Sequence, residues 1–199
     1  KLIFTLLLAG SLFSGYAADK KSLFDFPEKW VYVLKNNAVP QDSVLLLHNG
    51  ILTVGTKTNG YIRTAKKYTK FKLTVEWRWP KIAGNSGVLI HIQDNDSVWP
   101  LCYQVQQKAG AAGDILCMSG VWAKECTDSV KFTVDKFKAS NEKPVGEWNT
   151  MTVISDGKSL TVYINGELQN HITGLTHRKG YIGFQAEGRA LEFRNLTIF

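Results

Sequence analysis

Four short segments place long polar side chains at every second position: Glu76 and Arg78, His91 and Gln93, Gln104 and Gln106, Gln185 and Glu187. Successive residues of an extended strand point to opposite faces, so each pair lies on one side of its segment. If the four segments are neighbouring strands, a single face carries all eight groups. A solvated sheet face is usually rich in Lys, Thr, Ser and Glu, whereas this set is dominated by amides, with one imidazole and one guanidinium. Such groups suit the hydroxyls of a sugar, which both donate and accept hydrogen bonds. The competing reading is an ordinary polar outer surface. Aromatic rings add to the first, because the C–H faces of sugars stack on indoles and phenols. Trp99, just ahead of Pro100, and Trp122 are placed to flank a cleft. Trp77 and Trp79 share the apolar parity of their segment and read as core.

The elements that must hold these groups are strands. Period-two alternation runs through residues 44–48, 51–54, 71–79, 87–93, 101–107, 151–154, 160–164, 181–186 and 191–198. The apolar parity in the central segments is Phe71, Leu73, Val75 and Trp77; Val88, Ile90 and Ile92; Leu101, Tyr103 and Val105; Ile182, Phe184 and Ala186. Turn signals separate the segments, the strongest being Asn49-Gly50 and Asn165-Gly166, where both residue types accept the positive φ of a tight hairpin. No long stretch repeats with a helical period. The fold class expected is therefore all-β, a two-sheet antiparallel β-sandwich. Residues 110–145 are less regular and read as a long excursion on the sandwich rather than a second domain.

Lys1, an apolar run over residues 2–10 and a small-residue exit at Gly15-Tyr16-Ala17 read as a secretory signal peptide cleaved after Ala17. The apolar run is about half the roughly 20 residues that a membrane-spanning helix needs, so no transmembrane segment is expected in the mature chain. The expectation is an exported protein, periplasmic or secreted, with a signal peptide over 1–17 and a single domain over 18–199. The whole chain carries +7, and Lys1 is the one charge in the leader. Lysines occur singly or in pairs such as Lys20-Lys21 and Lys66-Lys67, a solvated surface rather than a nucleic-acid patch.

Cys102, Cys117 and Cys126 are an odd set without CxxC or zinc-type spacing; Cys117 with Cys126 is the pair expected if one forms. Asp94-Asn95-Asp96 offers alternating oxygens to a calcium ion, but no Gly or downstream Glu completes an EF-hand loop, and a polar hairpin turn is the favoured reading.

The ordered series of short motifs resembles the 3-keto-disaccharide hydrolase family, which has a concanavalin-A-like or laminin-G-like jelly roll. The resemblance rests on Ser22-Leu23-Phe24-Asp25 and Trp30, the run from Phe71 to Arg78, and the run from Gly84 to His91. It continues through Val145-Gly146-Glu147-Trp148-Asn149, Tyr163-Ile164-Asn165-Gly166, the run from Gly180 to Gln185, and that from Glu192 to Ile198. It implies cleavage of glycosides already oxidised to a ketone at sugar carbon 3. That ketone acidifies the proton on carbon 2, a base removes it, the glycosidic oxygen leaves, and water adds.

Such chemistry needs a base of near-neutral pKa, a group or divalent metal to stabilise the enolate, and a donor to the leaving oxygen. The resemblance implies His91 as base, Glu76 as its orienting partner or as base itself, and Arg78 as oxyanion stabiliser. It leaves Gln93, Trp99, Gln104, Gln106, Asp114, Gln185 and Glu187 to bind substrate, although a turn residue is the favoured reading of Asp114. No metal-ligand set is implied. The chain departs from the family pattern at Gln104-Val105-Gln106, where relatives carry a carboxylate, and at Glu187-Gly188, where relatives often carry His. Glu187 would restore the lost negative charge, or the exchanges mark a glycan-binding module without catalysis.

Overall fold

The computed structural model describes residues 22–199, so the expected signal peptide lies outside the described residues. Fourteen strands are present among them: β1 (Trp30–Leu34), β2 (Leu45–His48), β3 (Ile51–Val54), β4 (Gly60–Thr64), β5 (Phe71–Arg78), β6 (Gly87–Ile92) and β7 (Cys102–Gln106). There follow β8 (Ile115–Met118), β9 (Thr133–Val134), β10 (Asn149–Ser155), β11 (Ser159–Ile164), β12 (Glu167–Thr173), β13 (Tyr181–Ala186) and β14 (Leu191–Ile198). They form two seven-stranded antiparallel sheets, sheet I in the order β1-β4-β13-β6-β7-β8-β9 and sheet II in the order β12-β11-β10-β5-β14-β3-β2. Three short 3-10 turns are the only helical elements among the described residues.

The inner faces of the two sheets enclose the main core. Phe71, Leu73, Val75 and Trp77 of β5, Val88 and Ile90 of β6, Tyr103 and Val105 of β7, and Ile182 and Phe184 of β13 all point into it. Each fully buried Leu, Val, Ile or Phe side chain contributes about 1.5–3 kcal/mol relative to exposure, so the alternating pattern fixes which face of each strand is inside. The tight turns form where expected: Asn49-Gly50 (φ 48° and 72°) joins β2 to β3, and Asn165-Gly166 (φ 49° and 82°) joins β11 to β12.

Sheet I departs from simple alternation at one residue. Ile90 lies opposite Ile182, yet Ile92 lies opposite Tyr181, so β6 carries one extra residue, His91, with φ 56°. This bulge reverses the phase of the strand. His91 turns into the core and Ile92 turns out beside Leu89, the reverse of the expected parity. Gly180 permits it: a Cβ there would sit 2.3 Å from the His91 carbonyl carbon. The outer face of sheet I consequently holds a second apolar cluster of Val33, Tyr61, Leu89, Ile92, Cys102 and Met118.

The excursion over 110–145 supplies β8 and β9 to sheet I and is tied to β12 of sheet II. Asn170 Nδ2 donates to the Gly113 and Val134 carbonyls at 3.1 and 2.9 Å, and Glu125 accepts from the Thr173 amide and hydroxyl. All three cysteines are buried free thiols, so the expected Cys117–Cys126 pairing is not formed.

Candidate functional site

The structure divides the eight groups between the two sheets. Glu76 and Arg78 lie on β5, in the centre of sheet II, and face outward there. Arg78 Nε donates to Glu192 at 2.7 Å, and Arg194 Nε donates to Glu76 at 2.6 Å. The indole of Trp148 lies 4.5 Å from the Arg78 guanidinium and 4.0 Å from that of Arg194. These charges neutralise one another and do not approach His91. The expectation that Glu76, Arg78 and His91 share a face is corrected: parity along a strand does not say which sheet the strand joins.

His91 is equally remote from solvent. The bulge sinks its ring between the edges of Phe71 and Tyr103, and the side chain is wholly buried. Its Nε2 lies 3.2 Å from Ser155 Oγ. Ser155 Oγ gives its own hydrogen to the Thr69 carbonyl, so the imidazole Nε2 carries the proton in that contact. Burial pushes the His91 pKa down to about 4, so the ring is neutral near pH 7. A neutral imidazole sealed in the core has no route to a substrate proton, and the expected role of base is withdrawn. Gln93 is tied back to the bulge, its Nε2 donating to the His91 and Lys179 carbonyls at 2.7 and 3.0 Å. Asp114 is a turn residue whose Oδ1 accepts from the Lys136 amide at 2.9 Å, holding the excursion.

The amides do converge, on the outer face of sheet I. Tyr61 of β4 lies opposite Gln185 of β13, and Gly87 of β6 lies opposite Gln106 of β7. With Phe184 opposite Val88, Gln185 falls beside Gly87, and a row Tyr61, Gln185, Gly87, Gln106 crosses four adjacent strands. Gln104 leans into the space left by Gly87, where an added Cβ would come within 2.4 Å of its Cγ. There its Nε2 donates to Gln106 Oε1 at 2.9 Å. The Tyr61 hydroxyl and both polar atoms of the Gln185 amide are buried without a hydrogen-bond partner. A buried polar group left unpaired costs about 1–3 kcal/mol, and three such atoms lie on directly paired residues of this row.

Glu187 extends this row past the end of β13 on the parity of Gln185. Its carboxyl is half-buried; desolvation raises its pKa, opposed by a hydrogen bond from Asn85. It lines an open depression of about 540 Å³ whose rim includes Asn85, Lys108 and Arg189. On the other side of Tyr61, Arg63 makes a two-pronged contact to Asp96 at 3.0 and 3.3 Å and lies 4.0 Å from the Tyr181 ring centroid. Asp94 accepts from Lys67 and from the Tyr181 hydroxyl. The 94–96 run is thus occupied by ion pairs, and among the described residues no three His, Cys, Asp or Glu side chains gather to hold a metal ion.

At the β8 end of the face, Trp99 and Trp122 stand in the walls of one pocket of about 520 Å³, together with Phe132 and Met118. Tyr61, Arg63 and Asn85 are site residues that the sequence reading missed. The signal for the first two was the turn at Asn59-Gly60 followed by the short β-rich run Tyr61-Ile62-Arg63-Thr64.

A family model described as a 3-keto-alpha-glucoside-1,2-lyase-like domain matches residues 9–199. A candidate glycosyl hydrolase from Parabacteroides distasonis is similar in structure, at 20% identity and TM-score 0.61, over 86% of this chain and 98% of its own. The carbohydrate-binding module CBM66 from Bacillus subtilis aligns at 10% identity and TM-score 0.62, over 85% of this chain and 94% of its own. LamAcat from Zobellia galactanivorans aligns at 12% identity and TM-score 0.58, over 87% of this chain and 91% of its own. At these identities the likeness shows a shared jelly-roll fold. No curated protein matches the sequence.

Proposed function

Because this chain belongs to the 3-keto-alpha-glucoside-1,2-lyase-like domain family, we propose that it cleaves 3-keto-glycosides on the outer face of sheet I. The observation that carries the reading is the row of buried, unpartnered polar atoms on Tyr61 and Gln185 leading to the raised-pKa carboxyl of Glu187. In this reading Gln185, Gln106 and Tyr61 hold the sugar ring by its ketone and hydroxyls. Glu187, as the carboxylate, takes the proton from carbon 2. The C2–H electrons pass into an enolate stabilised by amide and phenol donors, the C1–O bond then breaks, and the departing oxygen takes the proton that Glu187 holds, which restores the carboxylate. Water adds across the resulting C1–C2 double bond to give the free 3-keto sugar. A carboxyl whose pKa desolvation raises is a stronger base than an exposed one. Export to the periplasm or medium belongs to the same proposal, and rests on the signal-peptide pattern of residues 1–17.

Purified protein is offered a 3-keto-disaccharide, and release of the monosaccharide is followed by chromatography. Turnover above buffer is expected; its absence, with and without added divalent metal, overturns the reading. One observation favours a second reading, a glycan-binding module: Gln104 and Gln106 are amides bonded to each other, without a carboxylate between them. Calorimetric heat with an unmodified glycan, and no turnover of the keto form, would select it.

A further inference from the structure

Resting on the reading above, we propose that the depression beside Glu187 holds the leaving group, and that this group is an acidic sugar whose carboxylate is bound by Lys108 and Arg189. The strand register puts it there. Phe184 of β13 lies opposite Val88 of β6, and Gly87 lies opposite Gln106 of β7, so Gln185, Gly87 and Gln106 form one row and Glu187, Asn85 and Lys108 the next. Backbone pairing continues past the strand ends: the Gln107 amide donates to the Ser86 carbonyl at 2.9 Å, and the Ala109 amide to the Gly84 carbonyl at 3.0 Å. The second row therefore lies about 7 Å from the first, and Lys108 lies two strand spacings, about 10 Å, from Glu187. Glu187, Asn85 and Lys108 all line the same depression of about 540 Å³. When carbon 2 of a ring on the first row meets Glu187, the substituent on the adjoining carbon 1 starts beside that carboxylate and has the second row beneath it.

The rest of this depression is made of small residues, Ala83, Gly84, Ala109 and Gly188, and no aromatic ring lines it. Recognition there falls to polar and charged groups, and the charged ones are Glu187, Lys108 and Arg189. Neither cation makes an ion pair among the described residues, whereas at the other end of the row Arg63 is held by Asp96 and Lys67 by Asp94. Glu187 does not engage them either. Its carboxyl is raised by desolvation and accepts from Asn85, and a neighbouring cation would have shifted it the opposite way. Lys108 and Arg189 are thus open to a charge that the substrate brings. Asn85 Oδ1 is buried without a partner and is an acceptor for a hydroxyl of the same leaving sugar.

Two glycines place Arg189 on this rim. Gly188, at φ 77°, turns the chain directly after Glu187. Gly84 leaves the space that the arginine stem crosses: a Cβ there would come 2.2 Å from Arg189 Cγ and 2.5 Å from its Cβ. The stem rests against backbone while the residue stays exposed. A guanidinium can bond both oxygens of a carboxylate at once, and the Lys108 ammonium adds a second positive charge. Repulsion from the ionised Glu187 drives a substrate carboxylate to the cationic side, which aligns the leaving sugar across the depression.

The test compares 3-keto-glucosyl-glucuronic acid with its methyl ester, which differ by one charge and share the leaving hydroxyl. At low salt the acid is expected to be favoured by about tenfold in kcat/KM, chiefly through KM, and the advantage shrinks toward unity at about 0.5 M NaCl. The acid-to-ester ratio is expected to fall toward one when Lys108→Met and Arg189→Met are combined. It falls partway in Gly84→Ala, which displaces the Arg189 stem, and is kept in Lys108→Arg. Turnover of both compounds without an acid preference, or a preference that survives in the folded double variant, overturns this inference and leaves the family reaction intact. If neither compound turns over, the reaction reading fails, and the depression is tested alone by low-salt calorimetry with unoxidised glucosyl-glucuronic acid and its methyl ester. Saturable heat with the acid, absent with the ester and lost in the double variant, supports the anionic subsite; equal heat or none overturns it.

Discussion

The outer faces of the two sheets both carry polar groups, and these are finished in opposite ways. On sheet II, Glu76, Arg78, Glu192 and Arg194 are charged, partly exposed and matched into ion pairs around Trp148. On sheet I, the Tyr61 hydroxyl and the Gln185 amide are uncharged, buried and unmatched. A surface that satisfies its own charges has nothing left to offer a ligand; one that buries polar atoms without partners has stability to recover when a ligand arrives. Residue type alone would favour the charged set as the reactive one, and the pairing reverses that choice.

The largest expected effect separates the two faces directly. Glu187→Gln keeps shape and removes the base, and turnover of a 3-keto-glycoside is expected to fall by about 10²–10⁴-fold. Glu76→Gln, the corresponding change on sheet II, is expected to leave turnover within about twofold. Desolvation raises the pKa of Glu187, so the rate of the native protein falls as pH drops through that raised value, and this limb disappears in the Gln variant. Equal losses at the two positions would erase the distinction between the faces.

The second effect, in size, concerns the histidine that the bulge buries. His91 has a folded pKa of about 4 against an ordinary value of 6.5. Between these values the unfolded chain is protonated and the folded chain is not, so stability is full above pH 6.5 and declines as pH falls toward 4. The part due to His91 is on the order of 3 kcal/mol. His91→Asn tolerates the positive φ and does not titrate. Urea midpoints at pH 7, 5.5 and 4 are expected to fall less steeply for the variant; an unchanged slope would show that His91 is solvated and return it to consideration as a base.

His91 also shows where the sequence stopped being legible. Sandwich architecture could be read from alternation and from the turns at Asn49-Gly50 and Asn165-Gly166, because burial and positive φ are set by adjacent residues. The amide row on β7 and β13 was legible for the same reason. The bulge was not, because it depends on the close approach of Gly180 from a different strand, and one extra residue then swaps His91 with Ile92. Assignment of β5 to sheet II was not legible either, since it is a pairing choice made with β10 and β14 far along the chain. The β4 strand was missed because its residues, Gly60-Tyr61-Ile62-Arg63-Thr64, do not alternate between apolar and polar.

Tyr61→Phe sharpens the contrast at smaller scale. Removing a buried hydroxyl that has no partner is expected to leave stability unchanged or raise it by up to about 1 kcal/mol, while weakening substrate binding by about threefold to tenfold. Thermal melts and KM are the two readouts. A clear loss of stability would mean that the hydroxyl is already satisfied in the free protein, and the row would hold two unmatched atoms rather than three.

The smallest effect is expected on sheet II. The Arg78 and Glu192 side chains are 33% and 20% exposed, and such partly exposed pairs contribute on the order of 0.5–1 kcal/mol. Arg78→Met with Glu192→Gln, measured singly and together, is expected to give a coupling in that range, reduced at high salt, with KM and kcat unchanged. The double variant is the informative one, because it removes both charges at once and leaves no orphan behind. If it lowers kcat while the coupling stays small, then the sheet II ladder takes part in the reaction despite being paired, and the rule that self-satisfied faces are inert does not hold for this fold.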